Sequence, residues 1–525
     1  MTRSPRRVAV VGGLVSLVAG LGLAAPTLAA AGTSGPTFSN FEPAGLSSFT
    51  LNEGGGSVGT TCPGAGSKCY NTAAEPAIRA DEAGNFYASS ENGLGAGTEA
   101  WKSTDGGRHY TTLPSPDAAS NTNSTGFAPG GGDTDLAVGD DLNSQGNYSV
   151  FVASLNLASI DVANSTNGGH DFTLNPVASR VPVDDREWIA ADDSHQGLVG
   201  GVHVPVEDGN KVCLSYHDIP TSDIHVDCSY DGGLTFTQTS TAIDGTHAFL
   251  IDNSMIGNMQ IARDIREGDN TAGNHNIYQV FSGPGDVNGS VDACGVGSTC
   301  YNTVWIAVSK DGGLTFTDIP VYRNPKVSVT YGHQFVNVSV DRKGNIYVVY
   351  TDNHNMFYSY SRNQGSTWSG PYQINKTPSN TSIEPWSVAG DAGKLDVVWY
   401  GTSATGNPET LSSNATWHVY FAQNTNVFST PKGFTQVAAS PVNHTGAVCE
   451  GGISCTGNRD LYDDFGIAAS PTTGLASIVY SDDQHRSGNT TNPNSPHCSA
   501  ATTNTGSCDH TAFATQLSGT GIITP

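Results

Sequence analysis

The chain has few charged side chains, and few of those are basic. Asp, Glu, Lys and Arg make up 14% of its 525 residues, and 23 Lys and Arg stand against 48 Asp and Glu, a formal net charge of −25. Nucleic acids and anionic membranes are bound by clustered basic side chains, so this shortage argues against both as the main partner. Hydrophobic residues still supply 37% of the chain. We therefore expect a folded, acidic protein with a buried core.

Long apolar runs are absent beyond the N-terminus. Arg3, Arg6 and Arg7 precede an apolar stretch from residue 8 to residue 25, and three alanines follow at 29–31. This order is typical of a secretory signal peptide, so we predict that residues 1–31 are removed by cleavage near Ala31. No later segment is long and apolar enough to span a bilayer. The sequence therefore predicts a secreted, extracellular product, residues 32–525, that acts as a monomer.

The CxxC spacing typical of zinc sites is also absent. In an oxidising compartment, local disulfides are the simplest of the many connectivities that ten cysteines allow. The cysteines fall into five close pairs, which are Cys62/Cys69, Cys213/Cys228, Cys294/Cys300, Cys449/Cys455 and Cys498/Cys508.

The motifs of several common enzyme classes are absent too. The chain contains no phosphate-binding P-loop, dinucleotide fingerprint, HExxH zinc motif or nucleophile elbow, so the sequence does not support a kinase, a dehydrogenase, a zincin or an α/β-hydrolase.

What the chain does contain is a short motif repeated five times. The clearest copies read SYDGGLTF from Ser229 and SKDGGLTF from Ser309, and related copies begin at Ser103, Ser165 and Ser361. An Asp or Asn that bonds its own turn, glycines that accept positive φ, and an aromatic that packs beneath form a hairpin turn. We assign these turns a structural role.

The motif belongs to a longer unit of four short antiparallel strands that recurs seven times. Such units bury their faces only against one another, which is typical of a β-propeller. We predict one all-β domain of seven blades, with six blades as the alternative. The segment near residues 47–51 is expected to close the last blade, since this removes an exposed sheet edge. The predicted blades start near residues 75, 133, 185, 257, 333, 384 and 463.

The repeated motif resembles the Asp box, or BNR repeat, of sialidase-like β-propellers. The resemblance covers nearly the whole mature chain and implies a secreted bacterial protein acting on glycans. Sialidases of this family carry an arginine triad, a Tyr nucleophile with a Glu partner, and an Asp acid/base. Their first arginine belongs to an Arg-Ile-Pro motif, and here the matching stretch is Ala74-Glu75-Pro76. The triad is not recognisable, which weakens the expectation of sialidase chemistry.

One face of the predicted propeller collects acids and aromatic residues near the central channel. Crowded carboxylates shift one another's pKa, so a protonated acid can stand beside an ionised one, as glycosidic cleavage requires. Taken singly, each of these residues also fits a turn cap or the core. The same face holds Glu91, Asp133, Asp135, Asp184, Asp463 and Asp483. The candidates for catalysis are Glu75, Asp185, Asp352, Glu384 and Asp464, and those for substrate binding are Arg186, His217, Asp218, His333, Trp386, Tyr400 and Asp482.

No cofactor is required by these motifs, although calcium fits one loop. Asp286, Asn288 and Asp292 place oxygen ligands at alternate positions, but the distant Glu of an EF-hand is missing and a polar turn explains the pattern equally well. Two functions remain open. The first, slightly favoured, is a glycoside hydrolase that uses carboxylates at the channel mouth. The second is a non-catalytic propeller that binds a glycan, a polysaccharide or an extracellular protein.

Overall fold

A computed structural model describes most of the chain between residues 35 and 524. The described ranges are 35–43, 47–48, 60–61, 71, 73–122, 130–156, 159–192, 196–199, 202–205, 210–262, 275–293, 300–333, 335–455, 459–463, 465–484 and 509–524. The predicted signal peptide and the predicted catalytic residue Asp464 lie outside the described residues.

Seven four-stranded antiparallel sheets form the blades of a β-propeller, which confirms the predicted all-β fold and its seven blades. In blades 1 to 6 the strands follow chain order from the inner to the outer edge. The strands of blades 1 to 3 are Ala74–Ala80, Phe86–Glu91, Thr98–Ser103 and Thr111–Thr112; Thr134–Leu142, Tyr148–Leu155, Ile160–Ser165 and Thr173–Asn175; and Asp184–Asp192, Lys211–Asp218, Ile224–Ser229 and Phe236–Thr241.

The remaining blades repeat this plan, and a few short pairs of strands decorate the connections. Blades 4 to 6 consist of Met255–Ile261, Ile277–Gly283, Thr303–Ser309 and Thr317–Arg323; Asn337–Val340, Ile346–Thr351, Met356–Ser361 and Ser369–Gln373; and Thr381–Ala389, Leu395–Thr402, Thr416–Asn424 and Thr435–Ala438. Blade 7 consists of Gly466–Ala469, Ala476–Asp482, His510–Ser518 and Thr37–Phe41. The short pairs are Ser47–Ser48 with Thr60–Thr61, Gln196–Val199 with Val202–Pro205, and Asp286–Val287 with Ser290–Val291, while His444–Thr445 joins the third strand of blade 6.

The second strands explain why the blades stack. Phe86–Glu91 and Leu395–Thr402 are buried along their whole length, because both faces of these strands pack against other blades. The outer strand Phe236–Thr241 instead alternates buried and exposed residues at its start. Hydrophobic cores therefore run between the blades. Among the described residues, the only helices are single 3₁₀ turns at Ala119–Asn121, Ala248–Leu250, Pro408–Thr410 and Gly452–Ser454, and none is long or apolar enough to cross a membrane.

The repeated turns join the third and outer strands. In blade 4, the Ser309 hydroxyl donates to Asp311 at 2.8 Å and accepts from the Gly313 amide at 2.8 Å, and Asp311 accepts from the Thr315 amide at 3.0 Å. Gly312 and Gly313 have φ of 75° and 93°, conformations that favour glycine. The side chains of these turns are thus satisfied by the turn itself.

The N-terminal strand that closes the ring is Thr37–Phe41, which pairs with His510–Ser518. The segment near residues 47–51 was expected in this place, but its described part, Ser47–Ser48, pairs with Thr60–Thr61 instead. Thr37–Phe41 has the better pattern for this position, since Phe38 packs on Phe421 and Phe41 on Phe513, with ring centroids 5.0 and 5.5 Å apart.

Two of the predicted disulfides are confirmed. Cys213 and Cys228 are cross-strand partners in blade 3, and their sulfurs are 2.04 Å apart. Cys449–Cys455 closes a loop between blades 6 and 7. Both bridges therefore join cysteines that are close in sequence, as predicted.

The other three predicted disulfides fall partly or wholly outside the described residues. Cys300 is disulfide-bonded, but its predicted partner Cys294 lies outside the described residues. These residues also exclude all four cysteines of the two remaining pairs, which are therefore not confirmed and stay predictions: Cys62 with Cys69, and Cys498 with Cys508.

Candidate functional site

β-Bulges at the start of three inner strands place charged side chains on the propeller axis. At Glu75, Arg186 and Glu384 the inner strand gains one residue over its partner strand, and these residues have φ of 50°, 61° and 53°. A bulge breaks the alternation of side chains and re-aims one of them. Pro76 and Pro385 suit such a place because they have no N–H to contribute to the interrupted ladder.

Three carboxyl groups from blades 1 and 2 meet at this level, and we call Glu75, Glu91 and Asp133 the axial cluster. One oxygen from each group lies within 4.8 Å of the others. Glu91 ends the second strand of blade 1, where it is the register partner of Ala74 beside Glu75. Glu75 is fully buried, Glu91 is 9% exposed, and the Asp133 side chain is 15% exposed. The cluster therefore meets solvent mainly through Asp133.

Two arginines hold the axial cluster together. Arg459 reaches in from the loop before blade 7 and donates hydrogen bonds to Glu75 at 2.7 Å and to Asp463 at 2.6 Å. Arg186 of blade 3 lies 3.5 Å from Glu75 and 3.6 Å from Asp133. Both guanidinium groups are thus engaged with carboxylates of the protein.

The carboxyls of the axial cluster have divergent pKa values. Burial, then repulsion by Glu91 and Asp133, raises the pKa of Glu75 well above its ordinary value. Burial and the Asp133 charge raise the pKa of Glu91 to about 8. Burial alone would raise the pKa of Asp133 too, but Arg186, a hydrogen bond from Glu75 and Arg459 outweigh it and lower this pKa. Protonated acids therefore stand beside an ionised carboxylate at neutral pH.

A stack of rings and guanidinium groups occupies the axis beside the axial cluster. The Arg186 guanidinium lies over Trp188 at 4.3 Å and over Phe335 at 5.1 Å from the ring centroids. Trp188 contacts Trp386 with centroids 5.3 Å apart, and Arg79 approaches Trp386 at 5.9 Å while pairing with Asp135 at 2.9 Å. Side chains from blades 1, 3, 5 and 6 therefore meet on the axis at this level.

A cleft too narrow to admit a water molecule adjoins the axial cluster through Asp463. Glu384, Trp386 and Phe335 form part of its wall, together with Pro385 and Phe465. Glu384 is 3% exposed, so its carboxyl is nearly enclosed. Acidic and aromatic side chains thus pack closely together beside the axial cluster.

The structure brings some predicted site residues together and separates others. Glu75 belongs to the axial cluster, and Arg186 contacts it. Glu384 and Trp386 line the cleft. Asp185 is exposed beside Arg186, and His217 is its cross-strand partner. Asp218, Asp352 and Asp482 accept hydrogen bonds from backbone amides that follow them, as turn caps do. Tyr400 is fully buried against Phe465 and accepts from the Ser481 amide, and His333 lies 3.2 Å from Glu450.

Four contributors to the site were not among the predicted catalytic and binding residues. Glu91, Asp133 and Asp463 were placed on the correct face, and Arg459 lies in a loop whose sequence shows no pattern. Glu91 could have been predicted from strand pairing, because it pairs with Ala74, the residue before the bulged Glu75. Tyr462, next to Asp463, has a pKa raised well above its ordinary value by burial and by acids such as Asp509 and Glu91, which disfavours the phenolate that a Tyr nucleophile needs.

In the loop suggested for calcium, Asp292 pairs with an arginine. Asp292 accepts hydrogen bonds from Arg323 at 2.8 and 2.6 Å and from Asn302 at 2.7 Å. The Arg323 charge thus already balances the Asp292 carboxylate. Two His–Asp–Asp groups elsewhere, Asp244–His247–Asp318 and His444–Asp460–Asp483, have ligand atoms within 4.8 Å of one another. Within the second group, both ring nitrogens of His444 are hydrogen-bonded, to Asp483 at 2.8 Å and to the Ala447 carbonyl at 3.2 Å.

No protein-family model matches the chain, and no curated protein matches it. Solved structures similar to it include a lectin of Aleuria aurantia in complex with Fucα1-6GlcNAc, with 12% identity over 71% of this chain and 96% of the lectin and a TM-score of 0.39. An α-L-arabinofuranosidase from Fusarium graminearum is 14% identical over 70% of this chain and 94% of its own, with a TM-score of 0.43. A sialidase from Streptococcus pneumoniae is 10% identical over 87% of this chain and 70% of its own, with a TM-score of 0.37. These are similarities of fold.

Proposed function

We propose that the chain is a glycoside hydrolase whose catalytic groups belong to the axial cluster. One observation carries this proposal: a buried acid that keeps its proton to about pH 8, Glu91, lies beside an ionised carboxylate, Asp133. Cleavage of a glycosidic bond needs both, one to protonate the leaving oxygen and one to act at the anomeric carbon.

The spacing of the carboxyls favours retention of anomeric configuration. Oxygens of Glu91 and Asp133 lie within 4.8 Å of each other, nearer to the roughly 5–5.5 Å of retaining glycosidases than to the 6.5–9.5 Å that leaves room for an inverting water. In this reaction Asp133 attacks the anomeric carbon while Glu91 gives its proton to the departing glycosidic oxygen. Glu91 then takes a proton from water, which displaces Asp133 and releases the sugar.

The remaining members position these two groups. Glu75 is fully buried, donates to Asp133 and holds Arg459, so it fixes the charge balance without reaching substrate. Because Arg186 and Arg459 are engaged with the protein's own acids, recognition of a sialic acid carboxylate has little support here. A disulfide-bonded chain of this kind works in an oxidising, extracellular compartment.

The test is turnover of purified residues 32–525 on a panel of neutral aryl glycosides, with a sialoside included. We expect Asp133→Asn and Glu91→Gln each to lower kcat roughly 10²–10⁴-fold in folded protein. Asp105→Asn is the matched control, because Asp105 caps a turn on the opposite face and Asn stands at the same place in Asn167. NMR of the first product tests retention.

Two outcomes would contradict the proposal. Equal turnover of the variants and the parent chain would remove the axial cluster from catalysis. No turnover on any glycoside, together with retained glycan binding, would indicate a non-catalytic recognition propeller.

A further inference from the structure

Exposed hydrophobic side chains are concentrated on the face that carries the axial cluster. Ten large hydrophobic residues are exposed among the described residues, and seven of them lie in connections that enter inner strands or leave second and outer strands. These connections share the face of the axial cluster. Single exposed hydrophobics are ordinary, so only those that lie together near the axial cluster bear on ligand binding.

Two of these residues, in blade 3, are linked by a backbone hydrogen bond. Val183 precedes the inner strand of blade 3 and Ile219 follows its second strand, and their side chains are 47% and 56% exposed. The Ile219 amide donates to the Val183 carbonyl at 2.9 Å. Val183 has a φ of 69°, which is unfavourable for a β-branched residue by about 1–3 kcal/mol. The fold therefore holds this apolar pair in place against local strain.

Hydrogen bonds to the buried Asp218 fix the turn that carries Ile219. Asp218 is fully buried and accepts hydrogen bonds from the Thr221 amide at 2.7 Å and from His225 at 2.9 Å. Asp184, next to Val183, is buried and accepts from Ser179 at 2.5 Å. These anchors make the pair a preformed surface rather than a loose loop.

Polar groups flank the pair on the side of the axis. Asp185 is exposed and is the cross-strand partner of the half-buried His217, whose Nε2 is enclosed and has no hydrogen-bond partner among the described residues. Desolvation, then the charge of Asp133, raises the pKa of Asp185, so this carboxyl lies within electrostatic reach of the axial cluster. We call Val183, Asp185, His217 and Ile219 the blade-3 rim.

We infer that the blade-3 rim is a subsite for a sugar residue adjacent to the cleaved bond, and that the substrate is a neutral oligosaccharide or polysaccharide chain. This inference rests on the proposed function. A pyranose ring presents an apolar C–H face to Val183 and Ile219 and hydroxyl groups to the exposed Asp185, with His217 behind it, the mixture that sugar sites combine. The acids of the rim and the axial cluster, on a chain of net charge −25, repel uronate or sialate chains.

The test compares chain-length dependence of binding in variants of the rim. On an Asp133→Asn background, Ile219→Ser and Val183→Asn are titrated with cellohexaose, xylohexaose and mannohexaose, with the matching disaccharides, and with hexagalacturonate. Asn tolerates positive φ, so Val183→Asn relieves strain and is expected to fold. Leu142→Ser is the matched control, since Leu142 is 57% exposed at the opposite end of a strand in blade 2.

We expect one neutral hexasaccharide to bind, with affinity lowered on the order of 10-fold by each rim variant and unchanged by Leu142→Ser. The disaccharides should show little difference between variants. If the rim variants weaken binding but the parent chain shows no turnover, the proposed hydrolase activity is contradicted, while the rim is supported as a glycan-binding site. Turnover with rim variants that bind all hexasaccharides normally would overturn the subsite, as would tighter binding of hexagalacturonate or no binding of any probe.

Discussion

Single residues decide which carboxyl of the axial cluster keeps its proton. Burial and the Asp133 charge favour the protonated forms of Glu75 and Glu91, whereas Arg186, a hydrogen bond from Glu75 and Arg459 allow Asp133 to stay ionised. Arg186 is itself held between Trp188 and Phe335, so its position depends on blades 3 and 5 together. A change at one arginine should therefore shift the titration of the whole cluster.

Arg459→Gln should move the pH profile of kcat/KM to higher pH. The Arg459 charge lowers the pKa of Glu75, Glu91 and Asp133, so its removal raises all three. The acid limb, set by Asp133, and the alkaline limb, set by Glu91 near pH 8, both move upward. Activity should fall at about pH 5 and rise at about pH 8.5 relative to the parent chain. Arg342→Gln, which removes an ion pair with Glu82 at 3.5 Å, serves as the control and should leave the profile unchanged.

Among the elements, the closing strand Thr37–Phe41 does most to make the propeller a ring. It pairs with His510–Ser518 along five residues, so chain segments more than 470 residues apart share one sheet. Asn40 adds hydrogen bonds from Tyr480 and to the Ala439 carbonyl, both at 2.9 Å. Without this strand, blade 7 would present an unpaired edge, which is a template for aggregation.

Deletion of residues 35–42 should therefore lower the thermal unfolding midpoint and produce oligomers or aggregates. Thermal unfolding and size-exclusion chromatography measure the two effects. Asn40→Ala keeps the backbone ladder and should cost only about 1–2 kcal/mol of unfolding free energy. A monomeric deletion variant with an unchanged midpoint would show that the closing strand is dispensable.

Folding raises the pKa of many buried carboxyl groups across the molecule as a whole. Burial raises the pKa of Asp161, Glu187 and Asp396 well above the ordinary value, and that of Asp184 and Asp318 to about 7. Unfolding returns these groups to pKa values near 4, so the folded state binds more protons between about pH 4 and pH 7. Their contribution to stability is complete below about pH 4 and is lost as the pH rises through the folded values.

We predict a higher unfolding midpoint at about pH 5 than at about pH 8. Groups with lowered pKa act in the opposite sense: Asp244, whose pKa falls to about 2 because hydrogen bonds from Thr246, Asp318 and His247 outweigh its burial, contributes stability that is lost below about pH 4. Asp396→Asn should raise the midpoint at about pH 8 by roughly 2–4 °C and reduce the difference between the two pH values. Asp171→Asn, at a side chain that is 83% exposed, is the control. A midpoint that rises between these two pH values would contradict the prediction.

The sequence by itself determined the blades. Their number follows from how often the four-stranded unit recurs. The turns that begin at Ser103, Ser165, Ser229, Ser309 and Ser361 and the pairs Cys213–Cys228 and Cys449–Cys455 involve residues at most 15 positions apart. Turn chemistry, strand alternation and short disulfide loops are local, so a linear pattern carries them. The same locality explains why the acids before inner strands were placed on one face.

Only the tertiary structure decided which of those acids meet and what charge they carry. Arg459 reaches Glu75 across 384 residues and Arg186 reaches it across 111, contacts that follow from the closure of the ring and not from spacing. Asp352 and Asp218 follow second strands and were predicted on the same face as Glu75, yet they cap turns, whereas a bulge re-aims Glu75. The choice of Thr37–Phe41 as the closing strand likewise depended on Phe38 and Phe41 meeting rings from blades 6 and 7. Burial and opposing charge set pKa values, and both arise only when distant blades pack together.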